Sequence, residues 1–250
     1  MKLKFLYALI IFSINIYSQK LVEEYQRPEG YLRIGPDQEQ MIPMVEKGFT
    51  LILPEIEVKA VVIVPSDERF NFKEAVNKEG SFEYEAMKKG IAVIHTISGN
   101  PIDFYFTSDI MSEIVKELQF ILEDNNLKEL PVYFWGISLA GTRALKLTIF
   151  LQTNKEKFWL QSSGVAISEA PLDMVRYWDV LNRTMINDFS PDDVKEAKEI
   201  TYLLKENLGT PQENFNNYVD YSPFMYISED GGNATDLRNI PFRAYYDPDV

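Results

Sequence analysis

Residues 132–145 have the sequence Val132-Tyr-Phe-Trp-Gly-Ile-Ser138-Leu-Ala-Gly-Thr-Arg-Ala-Leu145, in which a short apolar run meets a turn of small residues and a helical pattern follows. A strand, a sharp turn and a helix in this order hold the serine of the turn in a strained, outward-facing conformation. Gly136 and Ala140 are small enough to let strand and helix pass close together. The amide of Leu139, at the positive end of the helix, faces the position where negative charge develops on an attacked carbonyl. The segment therefore predicts a nucleophile elbow at Ser138.

The composition is typical of one globular domain. With 250 residues, of which 46% are hydrophobic and 13% aromatic, the chain can bury one sizeable core, and a single domain with an insertion is the natural expectation. The absence of cysteine from the sequence excludes disulfides, thiolate metal sites, a cysteine nucleophile and lipoprotein attachment.

The N-terminus has the pattern of a secretory signal. Lys2 and Lys4 precede an apolar run that ends near Ser18, and a polar stretch follows at once. Asn15 interrupts the run, which is shorter than the roughly 20 residues that span a bilayer. We therefore expect a signal peptide over residues 1–18 and export to the periplasm or the medium, with a retained N-terminal anchor as the alternative.

The net charge argues against two classes of partner. The formal charge is −13, and loss of Lys2 and Lys4 with the signal peptide changes it to −15. A surface this acidic repels nucleic acid and anionic lipid, so we expect neither nucleic acid nor, after signal cleavage, a membrane as partner. We expect a small-molecule or peptide partner on the other grounds given below, and the oligomeric state does not follow from the composition.

Strand patterns and helix patterns alternate along the rest of the chain. The predicted strands are 31–34, 49–54, 58–65, 91–97, 132–137, 164–168 and 240–246, and the predicted helices are 70–89, 108–124 and one from 139. Residues 174–236 are mostly helical in pattern and too long for one crossover, so they predict a helical cap. The predicted fold class is α/β, a mostly parallel sheet covered by helices on both faces, in a domain over residues 19–250.

These features resemble the α/β-hydrolase fold, and in particular its exported esterase-like and peptidase-like members, over roughly residues 31–250. In that fold the nucleophile follows the fifth strand, the acid follows the seventh and the histidine comes last. The third strand lies between the fourth and the fifth. Counted along this chain, 132–137 is the fifth strand and 240–246 is the seventh, so the order fits.

The resemblance implies roles for particular residues. Ser138 is the expected nucleophile, and the amide of Leu139 is one expected donor to the oxyanion. A second donor is expected in the loop after the third strand, near Ser66 or Asp67.

The resemblance implies an acid just past the seventh strand, where Asp247 and Asp249 flank Pro248. Asp249 is favoured, because the proline pushes Asp247 towards an extended conformation that is still leaving the strand. An Asp-Pro-Asp sequence is also a common turn, so both aspartates have a purely structural interpretation as well. Glu169 and Asp173, after the sixth strand, are further candidates, although Asp173 is equally placed to cap a helix.

The sequence departs from the family pattern at the base. No histidine follows Asp249, and the only histidine, His95, ends the fourth strand, two strands from the elbow. A serine without a base is a poor nucleophile near neutral pH. Either the 250 residues lack a C-terminal segment that carries the histidine, or the protein is a complete but inactive member of the fold, or His95 is an unusual base. We expect the first, because the last predicted strand would otherwise leave an unpaired apolar edge. His95 itself is then a hydrogen-bonded residue near a strand end.

The sequence thus predicts an exported serine hydrolase that cleaves an ester or amide bond through an acyl-enzyme on Ser138, with no cofactor and no metal. The 250-residue chain is expected to be inactive, because it lacks the catalytic histidine. The alternative is a catalytically inactive binding protein of the same fold. The identity of the substrate does not follow from the sequence.

Overall fold

The structure is a computed structural model that describes residues 20–36, 41–71, 78–188 and 190–246. The predicted signal peptide at 1–18 and the candidate acids Asp247 and Asp249 lie outside the described residues. Within the described ranges, no helix has the length and apolar character needed to cross a membrane.

The described residues form a main sheet of seven strands and a separate two-stranded sheet. The main sheet contains β1 (Lys20–Gln26), β4 (Lys47–Leu53), β5 (Ala60–Pro65), β6 (Ile91–Ser98), β7 (Val132–Ile137), β8 (Gly164–Ser168) and β9 (Phe242–Tyr245), and the small sheet pairs β2 (Tyr31–Arg33) with β3 (Met41–Pro43). The strand order is β1-β4-β6-β5-β7-β8-β9. The pairs of β1 with β4 and of β4 with β6 are antiparallel, and those from β6 to β9 are parallel. The predicted third strand, β5, therefore lies between the fourth and the fifth, which confirms the order that the resemblance implied.

The first strand of the main sheet differs from the prediction. The expectation that 31–34 is this strand is wrong, because Tyr31–Arg33 pairs with Met41–Pro43 in the small sheet. The first strand is Lys20–Gln26, which pairs along its whole length with β4. Most residues of β1 are exposed at the sheet edge. An edge strand needs no continuous apolar run, so its sequence lacks the pattern that marks a buried strand.

The helices are α1 (Phe82–Lys88), α2 (Ser108–Asp124), α3 (Leu139–Thr153), α4 (Met174–Asn187), α5 (Pro191–Leu208) and α6 (Phe215–Tyr221), with a 3-10 helix at Gly232–Leu237. Helix α2 has the predicted bounds, and the Thr107 hydroxyl caps it by accepting a hydrogen bond from the Ile110 amide. The helix predicted over 70–89 is shorter in the described residues. It begins only after Ser81, whose side chain caps α1 through the amide of Tyr84.

Helices cover both faces of the main sheet, as predicted. Successive residues of a strand point to opposite faces, and neighbours in β4 and β6 belong to different apolar clusters. Leu51 and Ile94 belong to the large cluster that contains the buried residues of α2 and α3. Ile52 and Val93 pack instead with Ala86 of α1. Strands β4 and β6 are therefore buried on both sides, whereas Tyr133 and Ile137 of β7 are exposed.

The helices between β8 and β9 form an apolar cluster of their own. Trp178 of α4, Leu204 of α5 and Tyr218 of α6 are among its buried residues. The hydroxyl of Ser190 accepts a hydrogen bond from the Asp193 amide at 3.4 Å and caps α5. Leu139, the residue after the elbow serine, packs against this cluster, so the helical segment contacts the elbow.

Candidate active site

The strand, turn and helix predicted around Ser138 are present. β7 ends at Ile137 and α3 begins at Leu139, which leaves a single residue for the turn. Ser138 has φ 52° and ψ −128° and is exposed to solvent. For a residue other than glycine this conformation costs on the order of 1–3 kcal/mol and persists only where the surrounding structure enforces it. The backbone at Ser138 is therefore strained in the way that a nucleophile elbow requires.

Small residues are needed where the strand and the helix approach each other. A Cβ atom at Gly136 would lie 2.2 Å from the carbonyl carbon of Ala140 and 2.4 Å from the amide nitrogen of Gly141. A Cβ atom at Gly141 would lie 2.7 Å from the Cβ atom of Ala170. A larger residue at Gly136 would push the start of α3 away from β7.

Backbone hydrogen bonds hold the elbow from two sides. The Ser138 amide donates to the Ser168 carbonyl at 2.8 Å, which ties the turn to β8. The amides of Gly141 and Thr142 donate to the Ser138 carbonyl at 2.9 and 3.2 Å, which ties it to α3. The amide of Leu139 belongs to the first turn of the helix, where amides have no carbonyl four residues back. It is therefore free of helical bonding and suited to an oxyanion.

The amide of Ser66 is not available as the second oxyanion donor, so that expectation is corrected. It donates to the Thr96 carbonyl at 2.7 Å, which extends the pairing of β5 with β6 by one residue. Within the described part of the chain, the amide of the next residue, Asp67, donates no hydrogen bond. Of the two residues considered from the sequence, Asp67 is thus the one whose amide remains.

A buried arginine connects the Asp67 loop to the elbow helix. Arg143 lies in α3 and is only 1% exposed. Its guanidinium donates to the Asp67 carboxylate, to the Ser66 carbonyl at 3.4 Å and to the Asp103 carbonyl. The loop after β5 and the helix after Ser138 are therefore held as one unit.

Both parts of this unit line an open cleft of about 570 Å³. The loop contributes Ser66 and Asp67, and the elbow contributes Ile137 and Ala140 on either side of Ser138. Glu83 of α1 also lines it. A cleft of this volume is in the usual range for a small-molecule site.

Asp173, one of the candidate acids, is engaged in capping α4. It is 8% exposed, and its carboxylate accepts hydrogen bonds from the amides of Val175 at 3.0 Å, Arg176 at 3.1 Å and Tyr226 at 3.0 Å. The capping interpretation is therefore confirmed. Glu169 follows β8 directly, is exposed and has φ 51°. Of the candidate acids that the structure describes, Glu169 is the one whose carboxylate is not used in a cap.

His95 is buried and lies two strands from the elbow. Its Nδ1 atom lies 3.1 Å from Ser66 Oγ, and its Nε2 atom lies 3.1 Å from Glu83 Oε1. The ring of Phe70 stacks on the imidazole with 3.8 Å between centroids. Strand β5 separates β6, which carries His95, from β7. The interpretation of His95 as a hydrogen-bonded residue near a strand end is confirmed, and both ring nitrogens are occupied by partners other than Ser138.

Glu83 and Arg143 are the residues near the cleft that the sequence did not single out. Glu83 belongs to a segment that is charged throughout, so nothing in the pattern distinguishes it. Arg143 had a usable signal. Residues 141–148 of α3 are buried throughout, and a charged residue inside such an apolar helix has no solvated face to occupy.

Comparison with known proteins supports the fold. No protein-family model matches the chain. Endo-1,4-beta-xylanase B of Thermotoga neapolitana is 24% identical over 199 residues, which cover 77% of this chain but only 56% of that protein. Among solved structures, MPT51 (FbpC1) of Mycobacterium tuberculosis matches with a TM-score of 0.50 at 12% identity, over 89% of this chain and 73% of that one. Puromycin hydrolase matches with a TM-score of 0.50 at 10% identity, over 92% of this chain and 35% of that one. The chain has the α/β-hydrolase fold.

Proposed function

We propose that the protein is a serine hydrolase that cleaves an ester or amide bond through an acyl-enzyme on Ser138. The supporting observation is the backbone of Ser138, a residue other than glycine at φ 52° between a strand and a helix. Positive φ is uncommon for such residues. In a strand–turn–helix unit it is the conformation that exposes a nucleophile at the edge of the sheet.

In the proposed reaction Ser138 Oγ attacks the carbonyl carbon while its proton passes to a base. Negative charge then develops on the carbonyl oxygen, which accepts hydrogen bonds from the amides of Leu139 and Asp67. Arg143 keeps these donors in register, because it binds the Asp67 carboxylate from within α3. The intermediate collapses, the alcohol or amine leaves, and water hydrolyses the acyl-enzyme.

The base in this proposal is a histidine outside the 250 residues, oriented by Asp249 or Asp247. His95 does not take this role, because Ser66 and Glu83 occupy its ring nitrogens. The 250-residue chain alone is then unable to turn over an ester at Ser138 and retains only the assistance of the oxyanion donors.

The proposed substrates are esters or amides of small molecules or peptides, processed without a cofactor. Puromycin hydrolase, whose structure is similar to this one, is a hydrolase by name. The cleft of about 570 Å³ is large enough for the reacting part of such a substrate. We further propose that residues 1–18 direct export, so the reaction takes place in the periplasm or the medium.

The experiment supplies the missing base from solution. The 250-residue chain is treated with a fluorophosphonate probe with and without imidazole, and the labelled peptides are identified by mass spectrometry. We expect imidazole to accelerate labelling of Ser138, and Ser138→Ala to abolish this label. Ser168, at the end of the neighbouring strand β8, serves as the control hydroxyl. If folded protein labels Ser138 no faster than Ser168, the proposal fails and the inactive binding protein is favoured.

The source of the base has its own test in the coding sequence. A reading frame that continues past codon 250 and encodes a further strand and a histidine supports this part of the proposal. A stop codon directly after codon 250 contradicts it.

A further inference from the structure

A hydroxyl–imidazole–carboxylate chain lies beside the elbow without including Ser138. Ser66 Oγ lies 3.1 Å from His95 Nδ1, and His95 Nε2 lies 3.1 Å from Glu83 Oε1. The three residues come from the loop after β5, from β6 and from α1. A nucleophile, its base and the acid that orients the base are linked in the same order in serine hydrolases.

The carboxylate of Glu83 determines the direction of these hydrogen bonds. Burial alone would raise the pKa of Glu83, but hydrogen bonds from His95 and from a backbone amide keep this pKa below its usual value. The group is therefore ionised at neutral pH and only accepts hydrogen bonds. His95 Nε2 must then carry the hydrogen, so in the neutral imidazole Nδ1 is the acceptor. Ser66 Oγ–H consequently donates to Nδ1, which at 3.1 Å is closer than its other acceptor, the Val64 carbonyl at 3.4 Å.

The imidazole is held rigidly and away from water. His95 is 5% exposed and Glu83 is 8% exposed. The ring of Phe70 stacks on the imidazole, with 10° between the planes. Exclusion of water strengthens both hydrogen bonds, and the stacked ring prevents the imidazole from rotating away. The hydrogen-bonded group of Ser66, His95 and Glu83 is thus organised before any substrate binds.

The Ser66 hydroxyl, at one end of this hydrogen-bonded group, is accessible. Ser66 is half-buried and lines the same cleft as Ile137, the residue before Ser138, and Ala140 of α3. Two interactions fix the loop that carries Ser66. The Ser66 amide donates a hydrogen bond to the Thr96 carbonyl, and Arg143 donates one to the Ser66 carbonyl. An electrophile in the cleft therefore meets Ser66.

We infer that Ser66 is a second nucleophile, which accepts the acyl group of an ester in the cleft with His95 as its base and Glu83 as the residue that orients the base. Ser66 Oγ forms a bond to the acyl carbon while its proton passes to His95 Nδ1, and the imidazolium is stabilised by the Glu83 carboxylate. Collapse of the tetrahedral intermediate breaks the bond to the leaving alkoxide, which takes the proton from Nδ1. With a fluorophosphonate, phosphorus replaces the acyl carbon, and fluoride leaves with the proton.

Ser66 and Ser138 obtain their bases differently, which separates the two assignments by experiment. Ser66 has its base within the described residues, whereas Ser138 needs one from elsewhere. Labelling of Ser66 should therefore proceed without added imidazole, and labelling of Ser138 should depend on it.

The test uses the 250-residue chain with Ser138→Ala, a fluorophosphonate probe and no imidazole. We expect mass spectrometry to find the label on Ser66, and Ser66→Ala to remove it. Glu83→Gln should slow the labelling at least about tenfold, because an amide can donate to Nε2 and so release the tautomer that activates Ser66. Ser98→Ala is the matched control. It removes a hydroxyl from the strand that carries His95, but this hydroxyl is not hydrogen-bonded to His95 or Glu83.

Far-UV circular dichroism and thermal unfolding confirm that each variant is folded. Should Glu83→Gln fail to fold, the comparison of Ser138→Ala with the double variant that adds Ser66→Ala still decides the outcome. Absence of label at Ser66 in folded Ser138→Ala overturns the inference, even where imidazole labels Ser138 in the original chain. Labelling of Ser66 at an unchanged rate in folded Glu83→Gln also overturns the inference, since the hydroxyl would then react without help from His95 and Glu83.

Discussion

Gly136 and Ala140 are in direct backbone contact, because a Cβ atom on Gly136 would lie only 2.3 Å from the Ala140 carbonyl oxygen. This contact fixes the start of α3 against the end of β7. The strained conformation of Ser138, between the two, depends on it. The positions of Ser138 and of the Leu139 amide are thus set by the absence of a side chain at Gly136.

Substitution of Gly136 by alanine should disrupt the elbow. The new methyl group has no room, so α3 must shift, and we expect a loss of roughly 2–4 kcal/mol in the free energy of unfolding. Imidazole-dependent labelling of Ser138 should be lost as well. Gly80→Ala is the control for a conformational cost without a clash, because Gly80, unlike Gly136, has positive φ, at 86°, and nothing lies within 4 Å of its Cβ position. We expect it to lose only about 1 kcal/mol. An equal loss in both variants, measured by urea unfolding, would mean that the contact with Ala140 is unimportant.

Asp67→Asn should weaken the link between the loop after β5 and helix α3. It leaves the buried guanidinium of Arg143 without its carboxylate, and we expect a loss of about 2 kcal/mol. The value is below that of a fully buried pair, since the Asp67 side chain is 51% exposed. Labelling of Ser138 in imidazole should slow at least about tenfold as the loop moves. Glu68→Gln, one residue away, should change neither the denaturation midpoint nor the labelling rate. Normal labelling in Asp67→Asn contradicts the role of this pair.

Asp173→Ala separates the capping role from a catalytic one. The three amides that bind this carboxylate lose their partner, so the free energy of unfolding should fall by roughly 2 kcal/mol. Because Asp173 takes no part in the proposed reaction, imidazole-dependent labelling of Ser138 should persist at its original rate under conditions where the variant is folded. A variant of normal stability with slow labelling would instead indicate that Asp173 is the orienting acid.

Lys146 should make stability depend on pH. It is 9% exposed and donates to the Tyr221 carbonyl at 3.2 Å, and in the described part of the chain no carboxylate forms an ion pair with it. Burial lowers its pKa from 10.5 to about 7. Between these two values the unfolded chain binds a proton that the folded chain does not, so stability rises with pH from about 7 to about 10.5.

Lys146→Met removes this dependence. Below pH 7 the lysine is charged in both states and the folded state bears the cost of burying it, so the variant should be about 2–4 kcal/mol more stable at pH 6. The gain should vanish above about pH 10, where the amine is neutral in both states. Lys198→Met, at an exposed position of α5, should leave the pH dependence unchanged. Urea unfolding between pH 6 and pH 10 checks this, and parallel curves for the Lys146→Met and original chains would contradict it.

The elements that the sequence predicted correctly are those with a strong local cause. The apolar run of β5 and the helical pattern of α2 act within a few residues, and their outcome follows from nearby chemistry. The elbow belongs to the same class, because its small residues permit a turn that larger ones forbid. Strand β1 was missed for the converse reason, since its pairing with β4 is not reflected in an apolar pattern.

Contacts between distant segments were beyond local patterns. The Ser66 amide donates its hydrogen bond to the carbonyl of Thr96, thirty residues along the chain. Only the register of β5 with β6 reveals this. The partner of His95 on α1 depends on how that helix packs against β6. No spacing in the sequence relates Glu83, His95 and Ser66.

The sequence by itself predicted an α/β fold and a serine in a strand–turn–helix elbow, because both depend on side-chain size and periodicity over short segments. Only the tertiary structure decided that the Ser66 amide bonds to the Thr96 carbonyl, that Arg143 joins the Asp67 loop to α3, and that His95 lies within hydrogen-bonding distance of Ser66. These outcomes depend on strand register and helix packing, which bring together groups that the chain keeps far apart. A hydrogen bond is decided by positions within a few tenths of an ångström, and a linear pattern does not carry that information.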